Sequence, residues 1–139
     1  MRLRRGVFIY IEDELSHYNE TIKEIERTKR DILFGSQGSD DENIGGGKSN
    51  LPGDPTGKRA IALATNTRIE RMESIINAID SVYERLQPEK RKLIELMYWT
   101  RPRNYTWDGV AMRLHITRRT VSRWRSEVLC AIASRAGLS

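Results

Sequence analysis

Mostly apolar side chains recur at alternating intervals of three and four residues along two stretches of this 139-residue chain. Side chains three and four positions apart are neighbours on one face of an α-helix, so each stretch predicts one long, heptad-patterned helix. Each stripe spans 25 residues, 8–32 and 62–86. The first consists of Phe8, Ile11, Leu15, Tyr18, Ile22, Ile25, Lys29 and Ile32, and the second of Ala62, Thr65, Ile69, Met72, Ile76, Ile79, Tyr83 and Leu86. We therefore expect an all-α chain.

The segment between the stripes, residues 35–57, is rich in Gly, Ser, Asp and Pro. It has too few apolar residues to order itself, so we predict a flexible linker there, between an N-terminal charged helix over 1–34 and a long helix over 58–87. The stretch GGGKS at 45–49 resembles part of a phosphate-binding loop. The full motif needs a glycine where Glu42 stands and a preceding buried strand, so no nucleotide site is predicted.

Two arrangements of the long helices remain open. Their equal length, with a linker that can return the chain, allows an antiparallel pair within one subunit. The heptad spacing equally allows a coiled coil between subunits, which makes a homo-oligomer a candidate assembly.

Positive charge is concentrated in the last third of the chain. Residues 88–139 hold 11 Lys and Arg against 4 Asp and Glu, a balance of +7, whereas residues 1–87 hold 13 against 15, a balance of −2. A localised positive field suits a polyanion partner such as nucleic acid. No apolar run is long enough to cross a membrane, and the single cysteine, Cys130, suggests a reducing, cytoplasmic setting.

The last third, residues 88–139, has the spacing of a helix-turn-helix domain. Pro88 is suited to the first turn of one helix, and Thr106 to the N-cap of a short helix over 107–114. With Trp107 as the first position, the motif needs small or apolar residues at six fixed offsets, which are filled by Val110, Ala111, Leu114, Ile116, Val121 and Trp124. The turn residue is His115 where glycine is usual, so a left-handed backbone there would be strained.

The second helix of this motif is predicted to contact the major groove, where guanidinium groups pair with guanine and hydroxyls reach bases or phosphates. Its N-cap is Thr117, and its buried face is expected to be Val121, Trp124, Val128, Cys130 and Ile132. The predicted DNA-binding residues are Thr117, Arg118, Arg119, Ser122, Arg123 and Ser126. Phosphate contacts are expected from Arg101, Arg103, Arg113 and Arg125, and the three tryptophans, Trp99, Trp107 and Trp124, are expected to pack in the core.

No enzymatic activity is expected. The only histidines are His17 and His115, no nucleophile has a base at a recognisable spacing, and no cluster has metal-ligand spacing. The sequence therefore predicts no catalytic residue, no cofactor and no metal.

The stretch from Leu86 to Ile132 resembles region 4 of bacterial sigma factors, in LQPEKRKLIELMYW and YTWDGVAMRLHITRRTVSRWRSEVLCAIA. The whole chain resembles the RinA/ArpU family of phage transcriptional regulators: a charged N-terminal helix, a glycine-rich segment, DPTGKRAIALATNTRIERMESIINAID and the terminal helix-turn-helix. This resemblance implies an activator of phage late genes, for packaging and morphogenesis, in the cytoplasm of a bacterial host. It assigns DNA recognition to residues 117–126, with double-stranded DNA as the partner and RNA polymerase as a candidate second partner.

The alternative function is a small terminase-like subunit that recognises DNA during genome packaging. That class also combines a helix-turn-helix with long oligomerising helices, although its DNA-binding motif is expected at the other end of the chain.

Overall fold

The computed structural model describes residues 2–42, 55–101 and 105–138, and every regular element in them is helical. No strand occurs in these residues, which confirms the predicted all-α class. None of the helices described is long and apolar enough to cross a membrane. The elements in chain order are α1 (Arg5–Ser16), α2 (Tyr18–Glu42), α3 (Pro55–Arg85), α4 (Pro88–Ile94), a π-helical turn (Glu95–Trp99), α5 (Trp107–Leu114) and α6 (Arg118–Arg135).

The first apolar stripe forms two helices rather than one. The chain breaks at His17, whose backbone departs from helical geometry with φ −101° and ψ 20°. The His17 N–H still donates to the carbonyl of Asp13 at 3.0 Å, so α1 ends in a closed turn before α2 begins at Tyr18. Apolar periodicity continues through this break, which is why spacing did not reveal it.

The second helix extends further than composition predicts. α2 continues to Glu42, eight residues into the segment 35–57 that was expected to be a linker. α3 begins at Pro55, three residues before the predicted start at 58, with the proline in its first helical turn. The remainder of the expected linker, residues 43–54 with the GGGKS stretch, lies outside the described residues.

The chain packs as two compact units, of which one contains residues 22–73. There α2 and α3 lie side by side, with Ile25 and Ile69 buried. Two interhelical ion pairs flank them: Lys29 Nζ lies 2.7 Å from a Glu73 carboxylate oxygen, and a second pair joins Arg68 to Glu24 at 2.8 Å. The two helices therefore contact each other within one chain.

The other unit combines residues 1–21 with residues 74–139. Each helix in it contributes one apolar stripe to a shared core, and α1 packs against both α6 and the π-helical turn. The core side chains are Ile11, Leu15, Ile75, Ile76, Ala78, Ile79, Val82, Leu93, Ile94, Leu96, Met97, Tyr98, Val110, Ala111, Val121, Val128, Leu129, Ile132 and Ala133. The N-terminal helix thus folds together with the basic last third of the chain.

An aromatic cluster closes one side of this core. The ring of Trp99 stacks on Tyr18 with centroids 5.0 Å apart, and Tyr83 lies at the same distance from it. The Trp99 indole N–H donates to the carbonyl of Leu15 at 3.0 Å. The three tryptophans, Trp99, Trp107 and Trp124, were predicted to pack in the core, but all are half-buried, and Trp99 lies in this cluster at the edge of the core.

Candidate nucleic-acid interface

A tight turn joins α5 to α6. The His115 N–H donates to the Met112 carbonyl at 3.2 Å, and the Ile116 N–H donates to the Ala111 carbonyl at 3.0 Å. This pair of bonds is the Schellman arrangement, which requires a left-handed residue at the first position after the helix. His115 has φ 58° and ψ 42°, so the left-handed turn expected from the motif is present without a glycine.

Hydroxyl groups cap the start of both helices. Thr106 Oγ1 accepts a hydrogen bond from the Gly109 N–H at 3.0 Å, and Thr117 Oγ1 accepts one from the Thr120 N–H at 3.1 Å. Both threonines had been predicted as N-caps, because a side-chain oxygen there satisfies an amide that has no partner within the helix. Only three residues, 115–117, lie between the end of α5 and the start of α6.

The pattern residues differ in how deeply they are buried. Val110, Ala111 and Val121 lie in the core, with Val121 fully buried. The other three, Leu114, Ile116 and Trp124, are half-buried. The spacing therefore identified residues that pack between or beside α5 and α6, but only half of them reach the interior.

The buried face of α6 is rotated slightly from its predicted position. Leu129 and Ala133 are fully buried and had not been predicted, whereas Cys130 is half-buried. Leu129 follows Val121 by eight residues and so lies on the same helix face, which was a usable signal. Cys130 is one further residue around the helix and falls near the outer face.

The outer face of α6 brings most of the predicted DNA-binding residues together. Arg119, Ser122, Arg123 and Ser126 line one shallow groove along the helix. All are exposed except Ser126, which is half-buried. Two guanidinium groups and two hydroxyls are thus presented on the side opposite the core.

The other two predicted residues lie at the start of α6. Thr117 is occupied as the helix cap. The Arg118 guanidinium carbon lies 5.9 Å from the ring centroid of Trp107, and an Arg118 nitrogen lies 3.8 Å from a carboxylate oxygen of Asp108. Arg118 remains 65% exposed and is therefore available on the flank of the groove.

The groove also contains an acidic residue that sequence reasoning missed. Glu127 accepts a hydrogen bond from Lys90 Nζ at 2.8 Å and lies 3.9 Å from the nearest Arg123 nitrogen. The signal was available, since Glu127 follows Arg123 by four residues on one helix. Lys90 in turn lies 5.8 Å from the Trp124 ring centroid, so that ring contacts α4 on one side.

Arg125 was predicted to contact phosphate, but the structure places its side chain in the internal packing of its unit. Its Nε and Nη2 donate to the two carboxylate oxygens of Glu12 at 2.6 and 2.8 Å, and its side chain is only 16% exposed. The guanidinium carbon lies 4.6 Å from the Phe8 ring centroid and 4.5 Å from that of Trp107. The Tyr98 hydroxyl donates to the same carboxylate at 2.6 Å.

The surroundings of Tyr98 and Arg125 keep each side chain in one protonation state. Burial, and then the hydrogen bond to Glu12, raise the pKa of Tyr98, so its hydroxyl stays a donor. Burial lowers the pKa of Arg125, but its bonds to Glu12 and Tyr98 outweigh that effect and raise the pKa overall. The guanidinium therefore remains charged opposite the carboxylate.

The remaining expected phosphate contacts are placed differently from one another. Arg101 donates to the carbonyls of Ser16 at 2.9 Å and Tyr98 at 3.1 Å, and so connects the end of α1 to the π-helical turn. Arg113 is exposed, with its guanidinium carbon 5.1 Å from the Tyr105 ring centroid. Arg103 lies outside the described residues.

One comparison with known proteins gives a match. A family model described as "Protein of unknown function (DUF722)" matches residues 9–134. No curated protein and no solved structure matches the chain. Because the matched range runs from within α1 to the last turn of α6 and includes the whole candidate interface, the protein belongs to the DUF722 family.

Proposed function

We propose that this protein is a sequence-specific, double-stranded DNA-binding transcriptional regulator that inserts α6 into the major groove. The observation that supports this most directly is the outer face of α6, where Arg119, Ser122, Arg123 and Ser126 share one groove. The opposite face of the same helix is buried in the core. A helix held in this way can enter a groove that is about 12 Å wide.

The two central guanidinium groups are available to bind bases. Arg119 has no ion-pair partner among the residues described. The Arg123 contact with Glu127 is 3.9 Å long, and both side chains are about half exposed or more. Exposed pairs of this kind contribute little, so exchanging Glu127 for a guanine edge costs little.

Flanking arginines supply the proposed phosphate contacts. Arg118 and Arg113 are exposed on either side of the turn, and Arg101 keeps about half of its side chain in solvent. Contacts of this kind fix the register of a protein on DNA without selecting a sequence. Arg125 is left out of this set because Glu12 holds it.

The resemblance to RinA/ArpU regulators and to sigma-factor region 4 extends the proposal to its setting. We place the protein in the cytoplasm of a bacterial host as an activator of phage late genes, with RNA polymerase as a candidate partner. Self-association through α2 and α3 is part of the proposal. It is supported by large apolar side chains that remain at least 48% exposed on these helices, namely Ile32, Leu33, Phe34, Ile61 and Leu63.

The test begins with selection of bound duplexes from a random pool, followed by fluorescence anisotropy on the selected duplex and a scrambled one. We expect salt-sensitive binding to both and tighter binding to the selected duplex. Arg123→Ala should weaken binding to the selected duplex by about 1 to 3 kcal/mol. Arg71→Ala, an exposed arginine in the unit of residues 22–73, is the matched control and should change little.

Four outcomes would revise the proposal. Equal affinity for selected and scrambled duplexes would remove sequence specificity. An equal loss on both duplexes in Arg123→Ala would reassign that residue to a phosphate. Light scattering that gives a ring of eight or nine subunits would favour the packaging role, and a monomer at all concentrations would remove self-association.

A further inference from the structure

We infer that a basic segment formed by Arg2, Arg4 and Arg5 makes a second DNA contact, binding backbone phosphates beside the groove that α6 occupies. This inference rests on the proposed function. It concerns residues that lie more than 100 positions from α6 in sequence and that no motif in the chain assigns to DNA.

One backbone hydrogen bond and a series of side-chain contacts join the basic segment to the start of α6. The Phe8 N–H donates to the Arg4 carbonyl at 2.9 Å, so Phe8 lies one helical turn from Arg4. Arg125 lies between the rings of Phe8 and Trp107, at 4.6 and 4.5 Å from their centroids. Arg118, the first residue of α6, lies on Trp107 in turn. These contacts therefore place the start of α1, and the basic segment with it, near the start of the proposed recognition helix.

The described part of the chain supplies no counter-charge to these three guanidinium groups. Arg2, Arg4 and Arg5 are all exposed, and none forms an ion pair with a described residue. The nearest acidic residue along α1, Glu12, is held by Arg125. Three positive charges therefore face solvent next to a surface that is itself proposed to bind a polyanion.

The three arginines are not explained by a stabilising effect on α1. A helix is stabilised by acidic residues in its first turn and basic residues in its last turn. α1 has no acidic residue in its first turn and no basic residue in its last turn, and its N-cap residue, Arg4, makes no side-chain capping bond. Asp13 lies near the other end instead. A bound polyanion would offset the unfavourable order of charges, whereas nothing within α1 does.

The segment is suited to phosphates rather than to base edges. Its arginines are consecutive or nearly so, all three are exposed, and Arg4 makes no side-chain capping bond. Base recognition needs a fixed geometry, whereas phosphate contacts tolerate mobile side chains and show their presence through counterion release. We therefore expect the segment to raise affinity for every sequence without changing sequence preference.

The experiment uses the full chain and two fluorescein-labelled 30-base-pair duplexes, one selected and one scrambled, over a range of salt concentrations. The variant combines Arg2→Gln, Arg4→Gln and Arg5→Gln. The matched control combines Lys23→Gln, Arg30→Gln and Arg71→Gln, which removes the same charge from exposed positions in the other unit. We expect the variant to reduce the slope of log K against log salt by about 2 to 3 and to weaken binding on the order of 100-fold near 0.1 M salt. The control should change the slope by less than about 1, and the preference for the selected duplex should be retained in both.

Equal salt slopes in the variant and the control would overturn the inference while leaving the proposed function intact, because the wild type would still bind. Failure of the wild type to bind either duplex would overturn both. If the triple variant melts early, Arg2→Gln alone decides the question, because Arg2 precedes α1 and its substitution leaves the helix unchanged. A slope reduced by about 1 supports the contact, and an unchanged slope overturns it.

Discussion

The guanidinium of Arg125 on α6 binds the carboxylate of Glu12 on α1 through two hydrogen bonds, at 2.6 and 2.8 Å, across 113 residues of sequence. The hydroxyl of Tyr98, which is 1% exposed, donates to the same carboxylate. Three elements therefore meet at one charged group, and the orientation of the proposed recognition helix depends on the first helix of the chain.

We expect Glu12 and Arg125 to contribute to the free energy of unfolding as a coupled pair. Glu12→Gln is expected to lower the free energy of unfolding by about 2 to 3 kcal/mol, because it leaves a largely buried guanidinium without its counter-charge. A double-mutant cycle with Arg125→Met, measured by urea denaturation, should give a coupling energy of about 1 to 3 kcal/mol. Glu20→Gln is the control, since its 3.9 Å pair with Arg101 is exposed and worth less than about 1 kcal/mol. A coupling below about 0.5 kcal/mol for Glu12 and Arg125 would contradict the assignment.

The left-handed turn residue offers a stabilising substitution. His115→Gly should raise the free energy of unfolding by about 0.5 to 1 kcal/mol, because glycine adopts φ 58° without the strain that a Cβ introduces. The corresponding rise in Tm is about 2 to 6 °C, measured by circular dichroism. His115→Ala keeps the Cβ and should give no such gain. A lower Tm in His115→Gly would show that the imidazole makes a stabilising contact.

Burial of Glu14 predicts a loss of folding stability that depends on pH. Burial, and then the negative charge of Asp13, raise the pKa of Glu14 above its usual 4.5, and His17 lowers it by a smaller amount. The folded state therefore holds this proton more tightly than the unfolded state does, so the contribution to stability is present below the usual pKa and is lost as the pH rises through the folded pKa.

Replacing Glu14 with glutamine should remove that cost. Thermal melts should show a higher Tm for Glu14→Gln than for the wild type at pH 7 and no such gain at pH 4. The control is Glu26→Gln, an exposed position on α2. A gain of equal size at both pH values would rule out ionisation of Glu14 as the cause.

The acidic residue in the groove should weaken DNA binding in general. Glu127→Gln removes one negative charge beside the proposed phosphate surface and releases Lys90, which it holds at 2.8 Å. A charge about 8 Å from a phosphate in water interacts by about 0.5 kcal/mol, so binding should tighten about twofold on both selected and scrambled duplexes. Anisotropy titrations measure this, with Glu26→Gln as the control. Weaker binding confined to the selected duplex would instead show that Glu127 accepts a hydrogen bond from a cytosine.

Local features of the fold were predictable because neighbouring residues in the chain produce them. The caps at Thr106 and Thr117 and the left-handed His115 follow from interactions between residues no more than five apart. The exposed groove on α6 follows from the 3.6-residue period, which separates its arginines from its apolar residues.

Contacts between distant residues were not predictable in this way. Spacing presented Arg125 as one more arginine on a basic helix, and its role depends on Glu12, which only the packing of α1 against α6 brings into reach. The break at His17, which separates α1 from α2, also lies within an unbroken apolar stripe. The pattern of a single helix shows which of its sides is apolar. It does not show which helix covers that side, because the hydrophobic effect favours burial against any apolar surface. The partner is determined only when all the helices pack into one core.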